Sequence, residues 1–166
     1  MTEIQSECFN RATALVKQGN IYGAIVLYRL YLKDPHPQYS LRAWNNLGNL
    51  LMDNGRDIAG AERAFKKALE IDPKDAPSWN NLGNLLNDPL NDKKDIAGAE
   101  DAYKKALEID PEAIEVWSNL GNTLLDHTED YAGAISAFKK ILEIDPEYTE
   151  AKDNLYYIAE NLCLVP

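Results

Sequence analysis

The stretch Trp44-Asn45-Asn46-Leu47-Gly48-Asn49 returns twice along the chain. The second copy is Trp79-Asn80-Asn81-Leu82-Gly83-Asn84 and the third is Trp117-Ser118-Asn119-Leu120-Gly121-Asn122. The three tryptophans are 35 and then 38 residues apart. Each copy is followed by an Ile-Asp-Pro sequence, which ends at Pro73, Pro111 and Pro146. A repeat of this length indicates stacked helical units.

The spacing within each copy predicts two packed helices. Trp44, Leu47 and Gly48, followed by Leu51, recur at i, i+3, i+4 and i+7, which places them on one apolar helix face. Glycine costs about 1 kcal/mol against alanine inside a helix, so Gly48 indicates a neighbouring helix too close for a side chain. Ala61 and Phe65 begin a second stripe, and Pro73 ends that second helix.

These residues resemble the tetratricopeptide repeat, whose pattern is Trp-x2-Leu-Gly-x2-Tyr, then Ala-x3-Phe, then Pro. The second helix of each copy follows it with Ala61 and Phe65, Ala99 and Tyr103, Ala134 and Phe138. Leucine replaces the family's tyrosine at Leu51, Leu86 and Leu124. The resemblance implies an all-α, right-handed superhelical solenoid of antiparallel helix pairs. It also implies a protein–protein interaction scaffold or adaptor that holds an extended peptide in its concave groove.

The repeat register predicts a single solenoid domain over residues 1–166 and nine helices with no strand. Residues 1–39 form a degenerate first repeat, with helices at about 3–17 and 21–33. Regular repeats follow at 40–74, 75–112 and 113–147. Residues 148–166 form a capping helix and tail, because Tyr156 replaces the glycine needed for close packing of a further helix.

The turns within the repeats are longer than the family's usual form. By alignment the first and third regular repeats gain one residue, and the second gains four. Asp57, Asp95 and Asp130 stand where the second helices begin, and aspartate there caps free N–H groups and favours the helix dipole.

The repeated asparagines are the candidate binding residues. Asparagine is a mediocre helix former, so its recurrence in mid-helix needs a reason. Side-chain amides donate and accept hydrogen bonds, which suits them to the backbone of an extended peptide. They resemble the asparagine ladders of superhelical peptide-binding members of the family, and an acidic row lies beside them. The alternative is that the asparagines bond between neighbouring helices and hold the stack. The candidate peptide-binding set is Asn45, Asn46, Asn49, Asp53, Asn80, Asn81, Asn84, Asp88, Asn119, Asn122 and Asp126.

The acidic row predicts a polar or basic peptide as the partner. Family members that bind the Glu-Glu-Val-Asp tails of chaperones use lysine and arginine in the groove. The corresponding places here hold Asn45, Glu115 and Asn119, so no such tail is expected.

The composition limits the classes of partner and the location further. The net charge is −10 and the pI about 4.6, which argues against nucleic-acid backbones and anionic membrane surfaces. No secretory leader or membrane span is visible, and Cys8 and Cys163 are expected to be free thiols, so the predicted location is cytoplasmic.

No catalytic, metal or cofactor site is predicted. The two histidines, His36 and His127, fall in loops or helix ends, with no nucleophile–base pair around them. The turn from Asp53 to Asp57 lacks the glycine and glutamate spacing of a calcium loop.

The N-terminal unit raises a second possible function. The helix at 21–33 is apolar nearly all round, and such helices are usually buried on more than one side. Its surplus face either lies under the first helix or supports self-association through residues 1–39. The alternative function is therefore a self-assembling structural scaffold.

Overall fold

The computed structural model describes residues 3–54, 57–92 and 94–162, with the side chains of 3–6 and 37–38 left aside. Within these ranges the chain forms nine α-helices and no strand, which confirms the all-α prediction. A π-helical turn, Leu124–Thr128, follows the seventh helix. The helices are α1 Glu3–Lys17, α2 Ile21–Tyr31, α3 Pro37–Asp53, α4 Ile58–Ile71, α5 Ala76–Asn87, α6 Ile96–Ile109, α7 Ile114–Thr123, α8 Tyr131–Ile144 and α9 Thr149–Asn161.

The helices pack in two compact units, residues 1–85 and residues 86–166. In the first unit α1 packs on α2, α2 on α3 and α3 on α4. In the second unit α6 packs on α7, α7 on α8 and α8 on α9. The predicted repeat boundary at residue 40 falls inside α3, which begins at Pro37, because proline suits the first turn of a helix.

One backbone hydrogen bond closes the turn inside every helix pair. The N–H of the residue before the second helix reaches a leucine carbonyl near the end of the first. The bonds are Asn20 to Leu15 at 2.9 Å, Asp57 to Leu51 at 2.9 Å, Asp95 to Leu86 at 3.0 Å and Asp130 to Leu124 at 3.1 Å. The separations are 5, 6, 9 and 6 residues. Relative to the first pair they increase by one, four and one residues, the same numbers as the predicted insertions.

The extra residue of the third regular repeat changes the helix itself. The chain widens into the π turn after α7, and Glu129 ends it in the left-handed region at φ 52°. A π turn absorbs one added residue without breaking the helix. The insertion therefore lies in the turn and leaves the packed faces in register.

The same residues cap the second helices, as predicted. Side-chain oxygens of Asp57, Asp95 and Asp130 accept the backbone N–H of Gly60, Gly98 and Gly133 at 2.8, 2.9 and 3.0 Å. Asn20 does the same for Gly23 at 3.0 Å. The first helix pair, which the sequence predicts to be a degenerate repeat, thus starts its second helix by the same contact as the later pairs.

Close helix contact explains two of the repeated glycines. A Cβ on Gly121 would lie 2.8 Å from Cε1 of Phe138, and a Cβ on Gly48 would meet the ring of Phe65. Both rings are fully buried, as are Tyr28 and Tyr103 at the equivalent position. In these two pairs the aromatic ring therefore fills the space that the glycine leaves.

The last helix, α9, is buried on one side and exposed on the other. Ala151 and Ile158 of α9 are buried, whereas Tyr156 and Tyr157 are exposed. Cys8 is a free, half-buried thiol, and Cys163 lies outside the described residues. None of the helices described is both long and apolar enough to traverse a bilayer.

Candidate functional site

Three of the predicted binding residues meet in one pocket of the first unit. A cleft of about 410 Å³ lies between α1, α2 and α3. Asn46, Asn49 and Asp53 line it from α3, since a spacing of three and four residues keeps them on one helix face. We call it the asparagine pocket; its other lining residues are Thr13, Val16, Lys17, Ile21, Tyr28, Leu50 and Asn54.

A buried tyrosine positions one wall of the asparagine pocket. The amide Nδ2 of Asn46 donates to the Tyr28 hydroxyl at 2.8 Å. That hydroxyl lies 3.0 Å from Oγ1 of Thr13, which donates its own proton to the Phe9 carbonyl at 3.1 Å. Since each hydroxyl has one proton, Tyr28 must donate to Thr13. The chain of bonds fixes the amide orientation and leaves Oδ1 of Asn46 as an acceptor without a bond to any described residue.

The other lining groups supply further hydrogen-bonding capacity and charge. Asn49 is half-buried and makes no side-chain hydrogen bond with any residue in the described ranges. Asp53 is exposed at the last residue of α3, and Lys17 brings a cation from the last turn of α1. The pocket therefore offers amide donors and acceptors beside one carboxylate and one ammonium group.

Asn45 bonds to residues of the next helix pair, and Asn80 is buried. Asn45 donates to Oδ2 of Asp75 at 3.1 Å and accepts from Oγ of Ser78 at 2.9 Å, which ties α3 to the start of α5. Asn80 is only 6% exposed. On the same helix Asn81 and Asn84 are half-buried, and Asn84 already has an interaction partner. The helix-to-helix alternative for the asparagines therefore holds for Asn45.

The second unit places its candidates on different elements. Asn122 of α7 accepts from Nδ2 of Asn154 of α9 at 3.1 Å, again a bond between helices. Asn119 is half-buried and has a partner, and Asp126 is exposed in the π turn. Asp88 accepts the N–H of Leu90 at 2.7 Å in the loop after α5.

A buried polar cluster in the second unit resembles the one around Tyr28. Nδ2 of Asn87 donates to Oγ1 of Thr123 at 3.0 Å, and Thr123 donates to the Asn119 carbonyl at 2.7 Å. Tyr103 bonds to both side chains. Burial raises the pKa of Tyr103 to about 12, while these bonds oppose the increase. The sequence signal for both clusters is tyrosine where two other repeats have phenylalanine.

The described part of the chain holds no group of three or more His, Cys, Asp or Glu side chains placed to bind a metal ion. Nε2 of His127 lies 3.2 Å from Nζ of Lys94. The sequence did not identify Thr13, Lys17 or Tyr28 as lining residues, because Thr13 and Lys17 come from the helix at 3–17, which matches the repeat pattern poorly, and Tyr28 stands at a core position of the repeat.

Family models of the tetratricopeptide repeat match four consecutive ranges, residues 41–75, 64–99, 88–127 and 114–148. Together these ranges cover residues 41–148. No protein of curated function matches the chain in sequence.

Solved structures of several proteins share the fold. MamA is 24% identical, with 92% of this chain and 85% of that chain covered, at a TM-score of 0.80. YrrB, described as having an unusual peptide-binding site, is 16% identical over 90% of this chain and 73% of that chain, with a TM-score of 0.73. The first repeat domain of Spaghetti, bound to the HSP90 peptide SRMEEVD, is 20% identical over 75% and 96%, with a TM-score of 0.65.

Proposed function

The chain belongs to the tetratricopeptide repeat family, and from that premise we propose that it is a protein-interaction scaffold whose asparagine pocket binds an extended, polar or basic peptide of a partner protein. Two proteins with the same fold bind peptides, which supports the general class. The observation that carries the proposal is the meeting of Asn46, Asn49 and Asp53 in one cleft. An adaptor role without catalysis, a cytoplasmic location and a groove through all repeats stay predictions.

The available groups specify the ligand. Asn49 and Oδ1 of Asn46 can pair with the N–H and C=O groups of an extended backbone, which carry no sequence information. Asp53 favours a cation on the peptide, whereas Lys17 at the opposite wall favours a carbonyl or carboxylate. We therefore expect a peptide with a basic residue at the Asp53 end of the pocket.

The first prediction tests Asn49. Asn49→Ala should weaken peptide binding about two- to tenfold, since one side-chain hydrogen bond contributes about 0.5–1.5 kcal/mol. Asp53→Asn should weaken the binding of a basic peptide by a similar factor. It should also reduce the loss of affinity that added salt causes. The ligand comes from an array of random dodecapeptides, and calorimetry then gives the Kd at two salt concentrations.

The matched control is Asn10→Ala, an exposed asparagine on α1 outside the pocket, which should bind like the wild type. Asn46 is unsuitable for the test, because its loss would also remove the bond to Tyr28. If Asn49→Ala and Asp53→Asn both bind with the wild-type Kd, the peptide lies elsewhere and the proposal fails.

The second candidate function is self-assembly through α2. Ala24, Ile25, Tyr28 and Tyr31 are buried, but the opposite face is not covered. Tyr22, Val26 and Leu30, spaced four residues apart, are 80%, 46% and 50% exposed. The first helix therefore covers only part of the apolar surface, and this exposed stripe favours association.

Charge makes a second copy of the chain a suitable occupant. Residues 1–85 have ten Lys and Arg against nine Asp and Glu, whereas residues 86–166 have seven against eighteen. Exposed Arg29 and Lys33 flank the α2 stripe, so its apolar contact is compatible with the acidic second unit of another copy. Such a head-to-tail contact is heterologous and can extend beyond a dimer.

The second prediction is a change in oligomeric state. Wild-type protein should show a mass that rises with concentration in light scattering, and Val26→Lys should weaken that association about tenfold or more, because it places a charge in the apolar stripe. Ala59→Lys, at an exposed position of α4, is the control. A wild-type chain that stays monomeric at high concentration would exclude this function.

A further inference from the structure

A second type of cleft is lined by a repeated tryptophan and leucines rather than by asparagines. In the second unit a groove of about 530 Å³ runs between α6 and α8, with α7 at its floor. The floor consists of the Trp117 ring, Leu120 and Leu124. The indole N–H of Trp117 donates to the Pro111 carbonyl at 2.9 Å, which fixes the half-buried ring in place. We call this cleft the Trp117 groove.

The first unit has the equivalent cleft in a narrower form. It lies between α2 and α4 over α3, its floor is Trp44, Leu47 and Leu51, and its volume is about 280 Å³. Arg63 lines this cleft two residues after Ala61, and Ser136 lines the Trp117 groove two residues after Ala134. The short serine side chain leaves open the space that arginine takes up in the first unit.

The rims of the two clefts have opposite charge. Arg29, Arg63 and Lys67 line the first. Arg29 pairs with Asp57 at 3.5 Å and Lys67 pairs with Glu70, so the remaining charge among the described lining residues is the guanidinium of Arg63. The Trp117 groove is lined by Glu100, Lys104, Glu108 and Asp130. Glu100 pairs with Lys104 at 3.1 Å, so the remaining charges are the exposed carboxylates of Glu108 and Asp130. An apolar floor between two carboxylates favours a ligand that is apolar in the middle and basic at its sides.

We propose that the Trp117 groove is a second docking site, which binds a basic segment of a partner protein by inserting an aliphatic side chain against Trp117 and Leu120. The lysines or arginines beside that side chain lie near Glu108 and Asp130. Acidic segments are rejected, because like charges at the rim disfavour them. The chain then has two separate binding sites for partner proteins, one for peptide backbone at the asparagine pocket and one for a basic apolar segment here.

The test uses two short probe peptides with the same centre. One is acetyl-Lys-Arg-Leu-Leu-Arg-Lys-amide and the other is acetyl-Glu-Asp-Leu-Leu-Asp-Glu-amide. The basic peptide should shift the indole N–H resonance of Trp117 in a nitrogen–proton NMR spectrum and leave that of Trp44 in place. The acidic peptide should bind at least about tenfold more weakly.

Ser136→Arg separates this groove from other acidic surfaces. The fold accepts arginine here, since Arg63 has the equivalent position, but the side chain fills the groove and adds a cation between the carboxylates. Ser136→Arg should bind the basic peptide about tenfold more weakly, and Ser136→Ala should bind it like the wild type. Binding of a ligand at the asparagine pocket should be the same in all three proteins.

Three results would overturn the proposal. Equal affinity for the basic and acidic peptides would show that the rim carboxylates do not select the ligand. Unchanged binding by folded Ser136→Arg would place the peptide on another acidic surface, and so would a shift confined to resonances other than Trp117. None of these results affects the asparagine pocket, which Asn49→Ala tests separately.

Discussion

Gly48→Leu is expected to lower the free energy of unfolding by about 3 kcal/mol, the upper part of the range typical of overpacked cores. Even the first carbon of a side chain at this position would meet the ring of Phe65. That ring is fully buried between α3 and α4 and has no room to move aside. The two helices must separate to admit leucine, and the separation would expose apolar surface along their whole contact.

Chemical denaturation followed by circular dichroism measures the change. Ala59→Leu is the control, because it makes a similar increase in size at an exposed position of α4. It should alter the free energy of unfolding by less than about 0.5 kcal/mol. If Gly48→Leu is as stable as Ala59→Leu, the close approach of α3 and α4 does not explain the repeated glycine.

The repeat register could be predicted from sequence because each copy tests the others. The tryptophan, glycine and aromatic positions recur together, so the helix pairs and their order follow from period alone. Turn length was also accessible: Asp57, Asp95 and Asp130 mark the same structural position despite different insertions. The closing bonds to Leu51, Leu86 and Leu124 show why the fold tolerates them, since each added residue stays outside the bonded ends.

The roles of individual asparagines were not accessible in the same way. Asn45 and Asn46 are adjacent, but successive helical residues point about 100° apart. Asn45 bonds to Asp75, thirty residues later, and Asn46 bonds to Tyr28, eighteen residues earlier. A periodic sequence shows that a position is repeated. The hydrogen-bond partner at that position depends on which residue of the neighbouring helix faces it, and the period does not give that residue. The asparagine pocket also needs Thr13 and Lys17 of α1, whose sequence matches the repeat pattern poorly.

The apolar character of α2 was visible in the sequence, but its cause was not. The sequence allowed two interpretations: the apolar surface of α2 is covered by the first helix, or it is exposed and supports association. The structure shows that α1 packs on the face with Ala24 and Tyr28, while Tyr22 and Leu30 stay exposed. One neighbouring helix cannot enclose all sides of α2, so α1 covers one face and leaves the other exposed. Association through the exposed face stays a prediction.

The wild type is expected to lose about 2–3 kcal/mol of stability at alkaline pH because Tyr103 ionises, and Tyr103→Phe should not show this loss. Burial raises the pKa of Tyr103 from 10.0 to about 12, because the phenolate would lose water inside the second unit. An acid whose pKa is raised on folding contributes stability that is present below pH 10 and lost as the pH rises through about 12. Two pKa units correspond to about 2–3 kcal/mol.

The comparison of the two proteins isolates this residue from the other groups that titrate in the same range. Phe65 and Phe138 have the equivalent position, so the fold accepts phenylalanine there. At pH 8 the variant should be less stable by about 1 kcal/mol, because it lacks the hydroxyl that bonds to Asn87 and Thr123. Between pH 10 and 12 the wild type should lose stability faster, and the two curves from urea denaturation should converge and cross. Parallel curves over this range would show that Tyr103 ionises in the folded protein as readily as in the unfolded chain, and that the cluster around it is open to water.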